Sequence, residues 1–296
     1  MFVYADQNFL IRCRDDAEVK SLVISAHRSG KATFVLSPIH FYEIGTVKPE
    51  LYQSTVQFVE EIQPSWILSR VDLQWMEFLC QWKSYWKLGE FKFDPIGDLA
   101  HVASVLHRKP RERFAGLTPR DFIDSFVDPT SLTEIKASFE MNQKAREENR
   151  ARFKAGQFTS QIMNGIERAY VAAQLARFDE SEPILNELYG RAKELLISEP
   201  TSSRISIFVE NGWTRRLRAN AIESSMTYGG WNGEARMNEN SQVDRDHAVV
   251  SLAYCDVFVT NDGKLRKYCE QVQGQSEFAL AQVFSCSEWI EQLRSM

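Results

Sequence analysis

Four carboxylates in this 296-residue chain stand where the order of strands and helices can bring them together. Asp6 follows a short apolar run, Phe2–Ala5, and Asp262 lies two residues past another, Val257–Thr260. Glu43 lies early in a helix that follows a strand, and Asp244 opens a helix that leads into one. In an open parallel sheet the carboxyl ends of all strands share one edge, where ligands bind. Local syntax places Asp6, Glu43 and Asp262 on that edge; Asp244 joins them if its helix starts there. Two unit charges at 4 Å repel by roughly 4 kcal/mol at an effective dielectric near 20. Four carboxylates at one edge would cost more than a domain can spare unless they were protonated or neutralised. Hard divalent cations with oxygen ligands are the usual remedy. A metal-bound water is a usable nucleophile, and a second metal about 3.5–4 Å away can stabilise the leaving oxygen in phosphodiester hydrolysis.

The elements that must position these acids are legible at both ends of the chain. Asp15 and Asp16 can cap a helix whose inward stripe is Val19, Leu22, Val23 and Ala26, with Gly30 at the left-handed position after it. Ala32–Leu36 is an unbroken β-rich run, as a strand buried on both faces should be. Ser37-Pro38 then reads as an N-cap and a first-turn proline opening the helix that carries Glu43. Near the carboxyl end, Asp244 begins a helix with Ala248, Val249, Leu252 and Ala253 inward, and Val257–Thr260 is the next strand. Leu265–Val272 reads as helix, Phe278–Ser285 holds a last strand, and Ser287 caps a closing helix with Trp289, Ile290 and Leu293. Strands alternating with helices of this length predict an α/β domain around a parallel sheet.

The middle has a different grammar. Ser65–Arg70 reads as one more strand, but 71–235 is mainly helical in pattern. Ile162, Ile166, Ala169, Tyr170 and Ala173 form one apolar stripe of a long helix, and Lys136–Lys154 reads as a solvated helix or arm. The predicted organisation is one domain built from 1–70 plus 236–296, interrupted by a helical insertion over 71–235.

Composition narrows the function classes. Hydrophobic residues are 44% and charged residues 25%, which excludes a disordered or collagen-like chain. No apolar run approaches the ~20 residues of a membrane span, and the amino end lacks the basic region of a secretory signal. The net charge of −5 means that any nucleic-acid site must be a local basic surface. Cys13, Cys80, Cys255, Cys269 and Cys286 are scattered, without a Cys-x-x-Cys pair, and read as reduced thiols of a cytoplasmic protein.

Three stretches together resemble the PIN-domain nucleases, in a large form with a helical insertion: YADQNFLI (4–11), SPIHFYEIG (37–45) and DRDHAVVSLAYCDVFVTND (244–262). The family pattern of an Asp after strand one with Asn two residues on fits Asp6 and Asn8. A glutamate in the helix after strand two fits Glu43. An Asp three residues before His or an aliphatic residue fits Asp244 with His247, and a strand ending Thr-x-Asp fits Thr260 and Asp262. One departure is the 201 residues between Glu43 and Asp244, far more than in compact members. The resemblance implies a PIN-like three-layer domain around a central parallel sheet. It also implies a Mg²⁺- or Mn²⁺-dependent endonuclease acting on RNA. Asp6, Glu43 and Asp244 would be the primary ligands, with Asp262 completing the site directly or through water. Thr260 would orient a ligand or a metal-bound water, Asn8 would touch the same edge, and no single carboxylate is singled out as the base. A second copy of the chain or an inhibitory protein is compatible as a further partner; a membrane is not.

Other residues carry sharp and bland readings together. Asp246 is either an alternative ligand in a shifted register or a plain first-turn acid favoured by the helix dipole. His247, with inward-packing neighbours, reads as structural support more than as a proton carrier. Arg215, Arg216 and Arg218 beside Trp213 suit phosphate contact with base stacking, or a solvated surface. Arg108, Lys109, Arg111 and Arg113 read as a solvated loop, and Trp66, Trp75, Trp82 and Trp86 as packing. Tyr228–Gly233 reads as a flexible lid beside Asp244, with Arg236 and Asn238 lining the site. Two other functions compete: a catalytically degenerate module that docks nucleic acid or protein through its helices, and an aspartyl-nucleophile phosphatase. The latter commonly needs a second Asp two residues after the first, where this chain has Asn8.

Overall fold

A computed structural model describes residues 1–46, 49–126, 129–157, 159–177, 192–232 and 239–296. Six strands form one sheet: β1 (Phe2–Ala5), β2 (Thr33–Leu36), β3 (Ser65–Ile67), β4 (Ile96–Gly97), β5 (Val257–Val259) and β6 (Gln282–Phe284). Their spatial order is β4-β3-β2-β1-β5-β6, and every pairing is parallel except β3 with β4. β1, β2 and β5 are apolar almost throughout, because a central parallel strand is covered on both faces. Val3 registers against Phe34 on one side and Val257 on the other, which makes β1 the centre.

The chain leaves β1 toward β2 and β3, then returns to build β5 and β6 on the other side. The first direction uses helices α1 (Gln7–Asp15), α2 (Ala17–Arg28), α3 (Pro38–Thr46) and α4 (Pro49–Ile62). Right-handed crossovers running in opposite directions put their helices on opposite faces, so this order is compatible with a three-layer α/β fold. It also leaves a switch point between β1 and β5, where two consecutive strand ends send the chain opposite ways.

Residues 71–235 do two things. Helices α5 (Arg70–Tyr85), α6 (Leu99–His107) and α7 (Pro119–Phe126) give Leu73, Val102, Ala103, Phe122 and Ile123 to the core on the sheet, and β4 lies in the same stretch. A second core forms away from the sheet, where Phe78 and Trp82 of α5 meet helices α9 (Ser160–Ala176) and α10 (Thr201–Glu210) through Val171, Ala172, Ile205 and Phe208. Trp82 and Phe208 sit 5.2 Å apart in a tilted pair. Most described side chains of α8 (Pro129–Lys154) are exposed, in keeping with the solvated helix expected over Lys136–Lys154.

Several local expectations are corrected. The helix carrying Asp244 is α12 (Glu239–Tyr254), preceded in the chain by α11 (Arg218–Asn232), so Asp244 lies in its second turn and not at its cap. Tyr228–Asn232 belongs to α11 rather than to a lid; Gly233, Arg236 and Asn238 lie outside the described residues. Ile162 and Ile166 are exposed, because α9 buries the face bearing Val171, Ala172 and Ala176. The closing helix α14 (Cys286–Ser295) is capped by Ser285, not Ser287. Glu288 returns the bond to the Ser285 backbone, and this reciprocal box satisfies two donors at once. The remaining helix, α13 (Gly263–Gln275), joins β5 to β6. Among the described residues no helix is long and apolar enough to cross a membrane.

Candidate active site at the sheet switch point

Asp6 and Asp262 do the same local work on the two strands that flank the switch point. Each follows its strand and caps the next helix: Asp6 accepts from the Phe9 N–H at 3.1 Å, and Asp262 from the Lys264 and Leu265 N–H groups at 2.7 and 2.8 Å. Thr260, fully buried, joins them. Its hydroxyl donates to Asp6 Oδ2 at 2.6 Å and accepts the Asp262 N–H at 3.1 Å. The Asp6 N–H completes the crossing by donating to the Val259 carbonyl at 3.0 Å.

Glu43 and Asp244 arrive on helices. α12 leads into β5, so its early turns lie at the carboxyl edge of the strands. That arrangement brings His247, one turn after Asp244, within 2.7 Å (Nε2 to Oε2) of Glu43. Behind this pair is a buried polar set that sequence reasoning missed. His247 Nδ1 and Ser37 Oγ each lie 2.6 Å from the Tyr4 hydroxyl, and His40 Nε2 lies 2.7 Å from the Ala5 carbonyl. The available signals were a tyrosine inside an otherwise apolar strand and a His40–Glu43 spacing that puts both on one helix face.

The four acids act on one another electrostatically. Asp244 titrates near 6, raised first by burial and then by Asp262, Glu43 and Asp6, against a lowering by His247. Burial also raises Asp6, opposed by its bonds from Thr260 and Phe9 and by His247. Burial disfavours the charged form of His247, yet Glu43, Asp6 and Asp244 together hold its pKa above the usual histidine value. His40 is pushed down to about 3 by burial and by neighbouring His247.

Among the described residues, no three His, Cys, Asp or Glu side chains already stand close enough to hold a metal ion. The bonds above give the reason: Glu43 is drawn to His247, while Asp6 and Asp262 are turned to their caps. The donors nevertheless suit a hard divalent cation in kind, being carboxylate oxygens around one edge. Asp262 Oδ2 and the whole Asp244 carboxylate accept no hydrogen bond among the described residues. Asp6 retains acceptor capacity beyond its two bonds.

The other expected site residues divide. Asn8 is exposed on the first turn of α1, beside Asp6. Asp246 is committed elsewhere: Arg70 Nε lies 2.7 Å from its Oδ1, and the same guanidinium holds Glu223 at 2.7 Å. Asp246 is thus held in an ion-pair network with Arg70, Glu223 and Arg245. Arg216 lies over the Trp213 ring at 4.4 Å, and Phe208 stacks with that ring. Arg218 packs over Tyr254 and Phe278 and donates to the Ala279 carbonyl. Arg215 and Arg216 are both exposed and Arg218 is half-buried; Arg215 lines a groove between α9 and α11. Of the other basic group, Arg108 lies over Trp75 and Arg111 pairs with Asp98. No protein-family model, curated protein or solved structure matches this chain.

Proposed function

We propose that this chain is a metal-dependent endonuclease with a PIN-like domain, hydrolysing phosphodiester bonds, RNA first among its substrates. Asp6, Glu43, Asp244 and Asp262 would hold Mg²⁺ or Mn²⁺. What carries the proposal is the Thr260 hydroxyl, which ties Asp6 to the Asp262 backbone across the switch point, beside an Asp244 carboxyl pushed up to about 6 by burial and, after it, by the other acids. A surplus of carboxylates at a strand edge has no packing value and raises the free energy of the folded chain, so a ligand that neutralises it is the economical explanation. When bound, the ion would supply a more acidic water and a counter-charge for the phosphate oxygens. Thr260 would fix the Asp6 carboxylate, His247 would hold Glu43, and Arg215 would offer a cation for the substrate backbone.

In this assignment 1–70 plus 236–296 carry the chemistry and 71–235 supports it. The five free thiols suit a reducing, cytoplasmic setting. The test is cleavage of single-stranded and hairpin RNA and DNA with Mg²⁺ or Mn²⁺. Asp6→Asn and Asp244→Asn should each abolish cleavage while circular dichroism remains that of the folded protein. Undiminished cleavage by both variants would reject the assignment. One observation favours a second reading, a degenerate PIN-like module that binds nucleic acid or protein: Glu43 is engaged by His247, and no ready-made metal cluster exists among the described residues. Calorimetric titration separates the two, since such a module would bind nucleic acid without taking up Mn²⁺.

A further inference from the structure

The geometry points to His247 as a positioning residue that presents its Nε2–H to Glu43, with its own orientation imposed by Tyr4 and by a locked, neutral His40. This rests on Glu43 being a ligand in the function proposed above, and it adds a layer that the four acids do not contain.

The lock on His40 follows from which atoms can only donate and which can only accept. Its Nδ1 lies 3.0 Å from the Ser37 backbone N–H, which can only donate, so Nδ1 must be an acceptor. Its Nε2 lies 2.7 Å from the Ala5 carbonyl, which can only accept, so Nε2 must carry the proton. The Ser37 carbonyl 3.2 Å from the same Nδ1 is therefore a contact and not a bond. Main-chain atoms beside the ends of β1 and β2 thus fix the His40 ring in one tautomer and one orientation. That ring stands at 63° to the His247 ring with centroids 4.7 Å apart, and 4.9 Å from the Tyr4 ring.

His247 is held on its far side by Tyr4, whose hydroxyl bridges Ser37 Oγ and His247 Nδ1 at 2.6 Å each. The hydroxyl has one proton and two acceptor sites. If it donates to Nδ1, His247 is neutral and its proton sits on Nε2. If it donates to Ser37 instead, Nδ1 must carry a proton and donate to Tyr4, and Nε2, facing an ionised carboxylate that can only accept, carries one as well. In both arrangements Nε2–H donates to Glu43 at 2.7 Å. The clamp on Glu43 therefore survives either charge state of the imidazole. Its requirements are the Tyr4 hydroxyl and a ring that cannot turn. Tyr4, His40 and His247 are all buried, so water cannot substitute for the missing hydroxyl without a rearrangement.

The test compares Mn²⁺ affinity by titration calorimetry in the wild type, His247→Gln and His247→Leu, and follows the imidazole N–H proton of His247 by NMR in the wild type and Tyr4→Phe. Gln can place an amide N–H near the position of Nε2, whereas Leu fills the volume with no donor. Loss of an outer-shell partner typically costs 10–100-fold in metal affinity, so His247→Leu should bind at least about 10-fold more weakly and His247→Gln should recover most of that. A slowly exchanging, downfield Nε2–H signal is expected in the wild type and should exchange faster in Tyr4→Phe. Equal Mn²⁺ affinities for the Gln and Leu variants would overturn the positioning role, as would an unchanged signal in Tyr4→Phe. If the wild type bound no Mn²⁺, the proposed function would fail by itself, and the NMR comparison alone would decide whether Tyr4 orients His247.

Discussion

Replacing Asp244 by asparagine removes the charge that the pocket resists most, and should make the metal-free protein more stable at pH 8. Its carboxyl titrates near 6 in the folded protein against an ordinary value of 3.8. The folded state therefore holds this proton more tightly than the unfolded chain does. The resulting stabilisation is complete below about pH 4 and is lost as the pH rises through 6. By pH 8 both states are ionised, and the folded state carries a penalty of about 3 kcal/mol at most. Asp244 is only partly buried, so solvent screening reduces this to roughly 1–2 kcal/mol. For a chain of this size that corresponds to a rise in Tm of about 2–3 °C for Asp244→Asn.

The assay is thermal unfolding in EDTA at pH 5 and pH 8, repeated with Mn²⁺. At pH 5 the folded carboxyl is largely protonated but the unfolded one is already ionised, so about half of the penalty is present and the gap should be about half of that at pH 8. At pH 8 the variant should melt higher. Mn²⁺ at 100 times its Kd should stabilise the wild type by about 2.7 kcal/mol and reverse the ranking, since the variant lacks a ligand. A variant that melts lower than wild type by the same amount at both pH values would refute the repulsion argument. A variant that gains as much from Mn²⁺ would refute the assignment of Asp244 as a ligand.

Three further outcomes follow from other buried groups. Thr260→Val removes the hydroxyl that serves Asp6 and Asp262 while keeping the side-chain volume. It should destabilise by about 1–3 kcal/mol and move the acid limb of metal binding to higher pH, with Thr260→Ser restoring both; superimposable profiles for Val and Ser would contradict this. Glu77, buried under the first turn of α11, accepts the Ala219 N–H at 2.9 and 3.0 Å and titrates near 7, raised chiefly by burial. Its contribution is therefore complete below about pH 4.5 and lost as the pH rises through 7, so Glu77→Gln should flatten the fall in urea stability between pH 4.5 and 7; parallel slopes would count against it. Arg70→Met strands Asp246 and Glu223 in a buried setting and should cost about 3–5 kcal/mol by chemical denaturation, whereas a loss below about 1 kcal/mol would show that Arg245 can take over both carboxylates.

The parts of this molecule that could be read from sequence are those governed by local rules. β1, β2 and β5 were visible because a strand covered on both faces needs consecutive apolar residues, and Asp6 and Asp262 because each ends such a strand. The start of α12 was hidden because Glu239–Val243 carries mostly polar side chains, so Asp244 looked like the cap. Ser285 lost to Ser287 although its glutamate partner stands at the correct spacing. β4, two residues long, has no periodicity to detect. The second core depends on contacts such as Trp82 with Phe208, separated by more than a hundred residues, and its loss to sequence reading explains the mistaken stripe on α9. The sequence shows Arg215, Arg216 and Trp213 as neighbours, but not that Arg216 lies over the Trp213 ring and that Phe208 stacks with it.

The acids share an edge but not a predicament, and the difference is itself testable. Asp6 and Asp262 each sit at a helix N-terminus and accept backbone N–H bonds there, so peptide dipoles offset part of their charge. Asp244, in the second turn of α12, accepts no such bond among the described residues, and after burial the largest influence on it is Asp262. Glu43, also in the second turn of its helix, has His247 beside it, so the strain of gathering negative charge is concentrated on Asp244, which makes it the group that a cation would relieve most. Asp262→Asn should therefore lower the pKa of Asp244 from about 6 toward the ordinary carboxylate range without any metal present. Carboxyl ¹³C shifts of labelled aspartate, titrated from pH 3 to 8 in EDTA, would report the change. A midpoint that stayed near 6 in Asp262→Asn would mean that burial alone sets it and that the two acids do not share a pocket.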